Sequence, residues 1–401
     1  MTINNFISSL WEGFIVKDIK KDDDSNSLKI FLEPDKSQSA RCGQCMQVCN
    51  HIHDYYTRNV RELTCFQYHT YLKVKSRRVM CPKCGCKTEY ISWLSKHSRL
   101  TKNFTSYIEF LCSMMPIKHI ATQLRLHWET LKDTDKRRLE RDFSEVDFSK
   151  TTHLVMDEFA LRKGHRYATV IADAKTLKVL WVCEGNRRED IRPFFKKLGK
   201  YRNNIQAVAM DMNASFDLEV KRYCPRAEVV YDLFHVVAKY GREVIDRVRV
   251  DQANALRDDK QARKNVKQGR WLLLKNESNL TDYQHVRLDE LLSVNKPLST
   301  IYILKEQLKD IWRTNDVWLA CRRWKEWYKQ VSESDIFPLK NFARKLKPYF
   351  RGIVASAIYP LRTSCIEGMN NKIKVLKRMA YGYRDHLYFF LKIKAAFPGK
   401  T

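Results

Sequence analysis

The sequence predicts a multi-domain α/β protein, and three observations carry that expectation. Between residues 150 and 235, apolar runs follow one another as three strands, a helix, a strand, a helix and a strand. Before them, two Cys-x-x-Cys pairs stand among short alternating runs. After them comes a charged stretch of helical period that ends in a strongly basic helix. At 401 residues the chain is long enough for two or three domains with a sizeable core.

Residues 1–100 read as a zinc-ribbon domain. Leu28 to Leu32 is a short strand, and Lys20 to Ser27 a polar turn. Cys42-Gly-Gln-Cys45 and Cys81-Pro-Lys-Cys84 supply four thiolates, the number that tetrahedral zinc requires. The two-residue gap lets both sulfurs of a pair turn to one point, with Gly43, Pro82 and Gly85 supplying tight backbone. Cys49, Cys65, Cys86, His51 and His53 are competing ligands. Tyr68 to Met80 alternates like a strand and carries Lys73, Lys75, Arg77 and Arg78, which suggests a basic hairpin. The zinc is expected to be structural, because so small a ribbon has little else to hold it.

Residues 101–148 read as a helix-turn-helix-like DNA-binding domain. Phe104 to Met115 is apolar-periodic and stops before Pro116. Ile117 to Leu124 makes a short second helix, and Trp128 to about Arg141 a third. Two short helices with a tight joint fit a module whose second helix enters the major groove. Lys132, Lys136 and Arg137 are the candidate DNA contacts. The usual turn glycine is absent, and Asp133 and Asp135 sit awkwardly for a helix facing phosphate. An ordinary helical hairpin is the competing reading. Asp142 to Lys150 is a polar linker.

The strand order between 150 and 235 is that of the ribonuclease-H-like fold. The strands are His153–Ala160, Tyr167–Ala172, Val179–Cys183, Ile205–Met210 and Glu228–Tyr231, with a turn at Gly164. Helices cover Glu189–Leu198 and Ala214–Tyr223, and Pro193 is tolerable in the first turn of the former. That architecture collects carboxylates from the first strand, the end of the fourth and a later helix. Asp157 lies within the first strand, where a charge needs a partner or a metal. Asp211 lies just past the fourth. Glu158, Asp173 and Asp232 compete for the role. His235 could orient a phosphate, but packing is the preferred reading.

Residues 236–350 are too long for a loop and helical in pattern, so they read as an all-helical insertion into the catalytic fold. Their tryptophans read as core and not as stacking platforms. The catalytic fold, residues 150–235, then resumes over 351–401. Here Ile366, Met369, Ile373 and Leu376 make one apolar stripe of a helix. Beside it run Glu367, Asn370, Asn371 and Lys374, with Lys377 and Arg378 further on, a face for a divalent metal at one end and phosphates along the rest. A capping box between Ser364 and Glu367 is the competing reading of that acid. Asp157, Asp211 and Glu367 are thus the catalytic and metal-ligating candidates. Three carboxylates can hold two magnesium ions about 3.5–4 Å apart, with manganese as a substitute. Lys374, Lys377 and Arg378 are further DNA contacts.

Charge supports this. Lys and Arg number 74 against 46 acidic residues, a net charge of +28 that points to nucleic acid and to salt-sensitive binding. From Lys340 onward, Glu367 and Asp385 are the only acids among fourteen Lys and Arg. No apolar run approaches a membrane span, and the N-terminus lacks a signal-peptide pattern, so a reducing cytoplasm is expected. Cysteines there serve as metal ligands or buried thiols more readily than as disulfides.

With these residues on the page, the chain resembles bacterial insertion-sequence transposases of the DDE superfamily, and most closely the IS-L-three family. The likeness rests on the two Cys pairs, the helical pair after Pro116, Val155-Met-Asp-Glu-Phe159, Val208-Ala-Met-Asp-Met212, Tyr231-Asp-Leu-Phe-His235, Ile366-Glu-Gly-Met-Asn-Asn-Lys-Ile-Lys374 and Lys377-Arg-Met-Ala-Tyr-Gly-Tyr383. The resemblance implies that Asp157, Asp211 and Glu367 are metal ligands. It implies that the N-terminal modules bind the terminal inverted repeats of an insertion sequence. It implies metal-dependent DNA cleavage and strand transfer to target DNA, by a homodimer or larger assembly joining two ends. The expected location is cytoplasmic, on the nucleoid when bound to DNA. The alternatives are a non-catalytic DNA-binding protein, such as a repressor derived from a transposase, and a nuclease on the same fold.

Overall fold

Two units divide the chain, Met1–Ser144 and Glu145–Thr401. The computed structural model describes residues 9–162, 166–361 and 364–399, with the side chains of 364–366 outside that description.

In the first unit the strands are β1 (Phe14–Asp22), β2 (Ser27–Pro34), β3 (Ala40–Arg41), β4 (Val48–Cys49), β5 (Ile52–Arg61), β6 (His69–Cys81) and β7 (Gly85–Thr88). The main sheet runs β1-β2-β6-β5, with β7 also on β6, and β3 pairs β4 apart from it. β2 and β6 are parallel, while β1–β2, β5–β6 and β6–β7 are antiparallel. The expected polar turn at Lys20 to Ser27 is therefore shorter, because β1 extends through Asp22. That strand is an exposed, lysine-rich edge whose charges hide its alternation. The sheet has its own core of Trp11, Phe14, Ile30, Leu32, Val60, Leu72, Val74, Ile91 and Leu94. The ribbon is thus set on a larger mixed sheet and does not stand alone, contrary to the expectation that metal alone would hold it.

Three helices follow: α1 (Lys102–Met114), α2 (Ile117–Leu124) and α3 (Trp128–Phe143). Thr101 caps α1 by accepting the Phe104 N–H at 3.1 Å. Phe104, Ile108, Cys112, Ile120, Leu124 and Leu131 form their common core. Arg125 takes the left-handed backbone (φ 51°, ψ 47°) between α2 and α3, where a helix-turn-helix usually has glycine. Asp135 does not face solvent. It is fully buried on the inner face of α3 and pairs with Arg138 at 2.7 Å.

The second unit is built on a five-stranded sheet of β8 (His153–Arg162), β9 (Arg166–Asp173), β10 (Val179–Glu184), β11 (Ala207–Met210) and β12 (Glu228–Tyr231). The order is β10-β9-β8-β11-β12. The first three strands are antiparallel, and β11 runs parallel to β8 and to β12. These strands match the expected set to within two residues at each end. The turn at Gly164 lies outside the described residues. Helices α4 (Arg188–Leu198) and α5 (Ala214–Tyr223) are as expected, except that α4 starts one residue earlier. Pro193 therefore sits in its second turn and not its first, where it removes the N–H that would bond Glu189.

Helix α6 (Leu233–Tyr240) follows β12, and helices continue from Asp246 to Leu346, ahead of α7 (Ser364–Met379) and α8 (His386–Ala396). Alternate residues of each strand face opposite sides of the sheet. Leu154, Met156, Val208 and Met210 join one core with α4, α5 and the long helical run. Val155, Phe159, Ala207 and Ala209 face the other way, onto Met369 and Ile373 of α7 and Phe389, Phe390 and Ile393 of α8. The tryptophan expectation holds only in part. Trp324 and Trp327 are buried, but Trp271 and Trp318 are 65% and 87% exposed. Trp312 is half-buried and donates to Tyr231 O at 3.0 Å.

Candidate metal centres

Strand register builds the first site. On β11 and β8, Ala207 pairs with His153, Val208 with Leu154 and Ala209 with Val155. Continued by two residues, that register sets Asp211 level with Asp157. On β12, Met210 pairs with Tyr231, so one residue further Asp232 comes level with Asp211. Asp157 within β8 is thus level with Asp211 and Asp232, which lie just past the ends of β11 and β12, on three adjacent parallel strands about 4.8 Å apart.

Asp157 and Asp211 converge as expected, but the third member of the group is His235: ligand atoms of the three lie within 4.8 Å of one another. His235 is not simply packed, then. It sits in the first turn of α6 with Nδ1 at 2.7 Å from Asp211 Oδ2 and Nε2 at 3.8 Å from Asp232 Oδ2. The signal was present in the sequence as Asp232-Leu-Phe-His235, since an N-cap and the residue three further on share one helix edge. Asp232 itself caps α6 by accepting the Phe234 N–H at 2.8 Å.

Burial pushes the Asp157 carboxyl up to about 6, and the neighbouring Asp211 charge adds to this. The opposing influences are the Glu158 N–H at 2.7 Å on Oδ1, the His235 charge, and Asn370 Nδ2 at 2.5 Å on Oδ2. Burial also works against a charged His235, but the Asp211, Asp232 and Asp157 carboxylates outweigh it and raise the imidazole above its ordinary value.

Asn370 brings α7 to this point. Met369 and Ile373 bury the helix against the sheet, as the apolar stripe predicts, and Asn370 reaches Asp157 beside them. Glu367 lies three residues before Asn370, on a neighbouring part of the same face, and is exposed. It does not belong to the group within 4.8 Å. The Ser364 side chain that a capping box needs lies outside the description.

The oxygen donors of this group suit a hard divalent cation, whereas the imidazole is a softer donor already engaged with Asp211. Two carboxylates and an imidazole converge, and Asn370 Oδ1 is buried with no hydrogen-bond partner. An orphaned amide oxygen beside paired carboxylates is an acceptor that a cation or its water would satisfy. Glu158 is no competitor: it points to the opposite face and holds Asn186 Nδ2 at 2.9 Å and Asn213 Nδ2 at 2.5 Å. Asp173 is likewise spent on a turn, accepting from Lys175 N and Thr176 N.

The second centre is in the first unit. The Sγ atoms of Cys42, Cys45, Cys81 and Cys84 lie within 4.8 Å of one another. Cys45 and Cys81 are 3.6 Å apart, close to the edge of about 3.8 Å that follows from a tetrahedron with Zn–S near 2.3 Å. Gly43 donates to Thr88 O at 3.0 Å, and a Cβ there would meet that oxygen at 2.6 Å. Of the competing ligands, Cys49 is buried beside the four, while Cys65 and Cys86 are exposed.

The candidate DNA contacts differ in exposure. Lys132 and Lys136 are half-buried on α3, and Arg137 is exposed with Nε on Asp133 O at 3.1 Å. On α7, Lys374 and Arg378 are exposed, and Lys377 Nζ rests on Ala160 O at 3.2 Å. No helix among the described residues is long and apolar enough to cross a membrane.

The sequence matches known protein families and relatives. Residues 154–393 match the profile of a transposase family of ISL3 type. Residues 89–139 match the helix-turn-helix domain of transposase family ISL3, and residues 38–86 the zinc-finger of transposase IS204/IS1001/IS1096/IS1165. The chain is 47% identical over 394 residues to the transposase for insertion sequence element IS1001 of Bordetella parapertussis, covering 98% of this chain and 97% of that one. It is 25% identical over 415 residues to the transposase for insertion sequence element IS1557 of Mycobacterium tuberculosis, covering 92% and 89%.

Proposed function

The chain belongs to the ISL3 family of DDE transposases, and we propose that it cuts and joins DNA ends at the Asp157–Asp211 centre of a ribonuclease-H-like domain. The observation that carries this reading is the convergence of a half-buried Asp157 with Asp211 and His235 on the sheet. In its finer form the domain layout is a zinc ribbon within 1–100, a helix-turn-helix in 101–148, catalytic segments 150–235 and 351–401, and a helical insertion at 236–350.

Asp157 and Asp211 would hold magnesium ions, with Glu367 completing the set when DNA brings its side chain inward. Two such ions, when bound, supply a polarised nucleophilic water or 3′-hydroxyl and a stabilised leaving oxygen. The chain's own part is to fix the ligands. The Glu158 N–H and Asn370 orient Asp157, and His235 orients Asp211. Zinc would be held by Cys42, Cys45, Cys81 and Cys84 to shape the ribbon. Lys132, Lys136 and Arg137 on α3 would contact the terminal inverted repeats, and Lys374, Lys377 and Arg378 the DNA near the cut. Two ends must meet, so a dimer or larger synaptic assembly on the nucleoid is the working form.

A DNA-binding protein without catalysis would account for the first unit and leave the half-buried Asp157 beside Asp211 without a purpose. A gel assay with labelled element ends separates the two. Asp211→Ala is expected to abolish strand transfer and leave end binding largely intact. Joined products at the wild-type rate from that variant would refute the assignment.

A further inference from the structure

The link between β5 and β6 ends in a two-residue hairpin turn. Cys65 N donates to Tyr68 O at 3.0 Å, and Tyr68 N to Cys65 O at 2.9 Å. The first residue of the turn, Phe66, has φ 53°, a conformation that glycine normally supplies there. A bulky aromatic in that region is an outlier, and outliers of this kind cluster at functional sites. Nothing in the packing explains the choice, since Phe66 is 91% exposed. Leu63, Thr64, Cys65 and Gln67 are exposed with it, and no charge occurs between Leu63 and Tyr68. The chain thus holds a strained, uncharged, aromatic tip in water.

Its neighbours say what the tip meets. His69, at the base of the hairpin, donates its N–H to Asn26 O at 2.8 Å. Arg125, in the joint between α2 and α3, reaches Ser25 O at 3.5 Å, one residue from that contact. Arg61 bonds both His69 Nδ1 at 2.7 Å and Leu124 O at 3.3 Å. The hairpin is therefore fastened to the joint that precedes the reading helix. Arg125 is exposed at this end, and Lys21 lies 5.2 Å from the Tyr68 ring. The β1–β2 turn there also carries three acids: Asp22 accepts from Ser25 N at 3.1 Å, Asp23 is occupied by Tyr68 Oη at 2.6 Å and Lys21 at 2.9 Å, and Asp24 is exposed.

We propose that Phe66 is a wedge that enters the minor groove beside the major groove read by α3, and inserts between two base pairs of the element end. Minor-groove proteins unstack a base step in this way with an apolar side chain carried on a basic body. The proposal rests on the helix-turn-helix binding duplex DNA, not on the metal centre.

The test uses the full zinc-loaded chain and a duplex from the end of the element that carries this reading frame, with 2-aminopurine placed at successive steps. Phe66→Gly is expected to raise the melting temperature, because strain leaves the turn, and so to show an intact fold. It is expected to weaken binding at least about fivefold, the low end of what one stacked base contributes, and to abolish the 2-aminopurine rise. Phe66→Trp is expected to keep both. Wild-type affinity and an unchanged fluorescence rise in the glycine variant would overturn the wedge. Unchanged affinity for one end with loss of pairing between two ends would also overturn it, and would assign the turn to contact between copies. A wild-type chain that failed to bind the duplex would overturn the helix-turn-helix reading as well.

Discussion

A half-buried carboxylate sets the residue-scale energetics. Asp157 is held up at about 6 from its ordinary 3.8, so its ionised form works against the metal-free fold by about 3 kcal/mol. Because the folded value lies above the unfolded one, this stability is fully present below about pH 4. It is lost as pH rises through about 6. Asp157→Asn is expected to remove that pH slope, to raise the melting temperature of the metal-free chain near neutrality, and to abolish cleavage. Differential scanning calorimetry between pH 4 and 8 checks the first two effects. A smaller effect lies at the zinc knuckles. The residue after each second cysteine has a left-handed φ: Gly85 at 70° and Met46 at 64°. Met46→Gly is expected to stabilise the first unit by about 0.5–1 kcal/mol, read from urea midpoints at constant slope.

At the scale of elements, α7 reaches the candidate site through Asn370, which donates to Asp157. Asn370→Ala is expected to slow cleavage by at least tenfold while end binding stays unchanged, as measured by single-turnover assays against anisotropy. The zinc knuckles are a separate element on a sheet with its own core. Chelating the zinc is expected to abolish hydrogen-exchange protection around Ala40–Cys49 and Cys81–Thr88 and to leave the middle of β2 and β6 protected. Much at this scale could be read from the sequence, because strands such as Ala207–Met210 are continuous apolar runs and the Cys spacing is specific. β1 could not, since an edge strand full of lysine has no buried face to alternate with. Only half of the His235 role is legible: Asp232-Leu-Phe-His235 puts it on the helix edge of Asp232, but whether it packs or ligates depends on strand register, which sets Asp211 beside it. Register is a three-dimensional pairing, and no local pattern encodes it. The left-handed Arg125 likewise fills a glycine position that composition alone would have counted against a helix-turn-helix.

Across the whole molecule, the positive charge dominates association with DNA. Affinity for the element end is expected to fall by orders of magnitude between about 50 and 200 mM salt, and titrations at several salt concentrations give the number of phosphates engaged. The order of the two units along the chain has a consequence in time. The first unit closes its cores by Ser144, whereas Asp157 waits for Asn370 and for the α8 residues that seal the same sheet face. At about 5–20 residues per second, synthesis takes on the order of 10–50 s to cover that gap. A ribosome-tethered chain would in that interval have a grip but no blade, so a newborn copy could settle on an end before it was able to harm one.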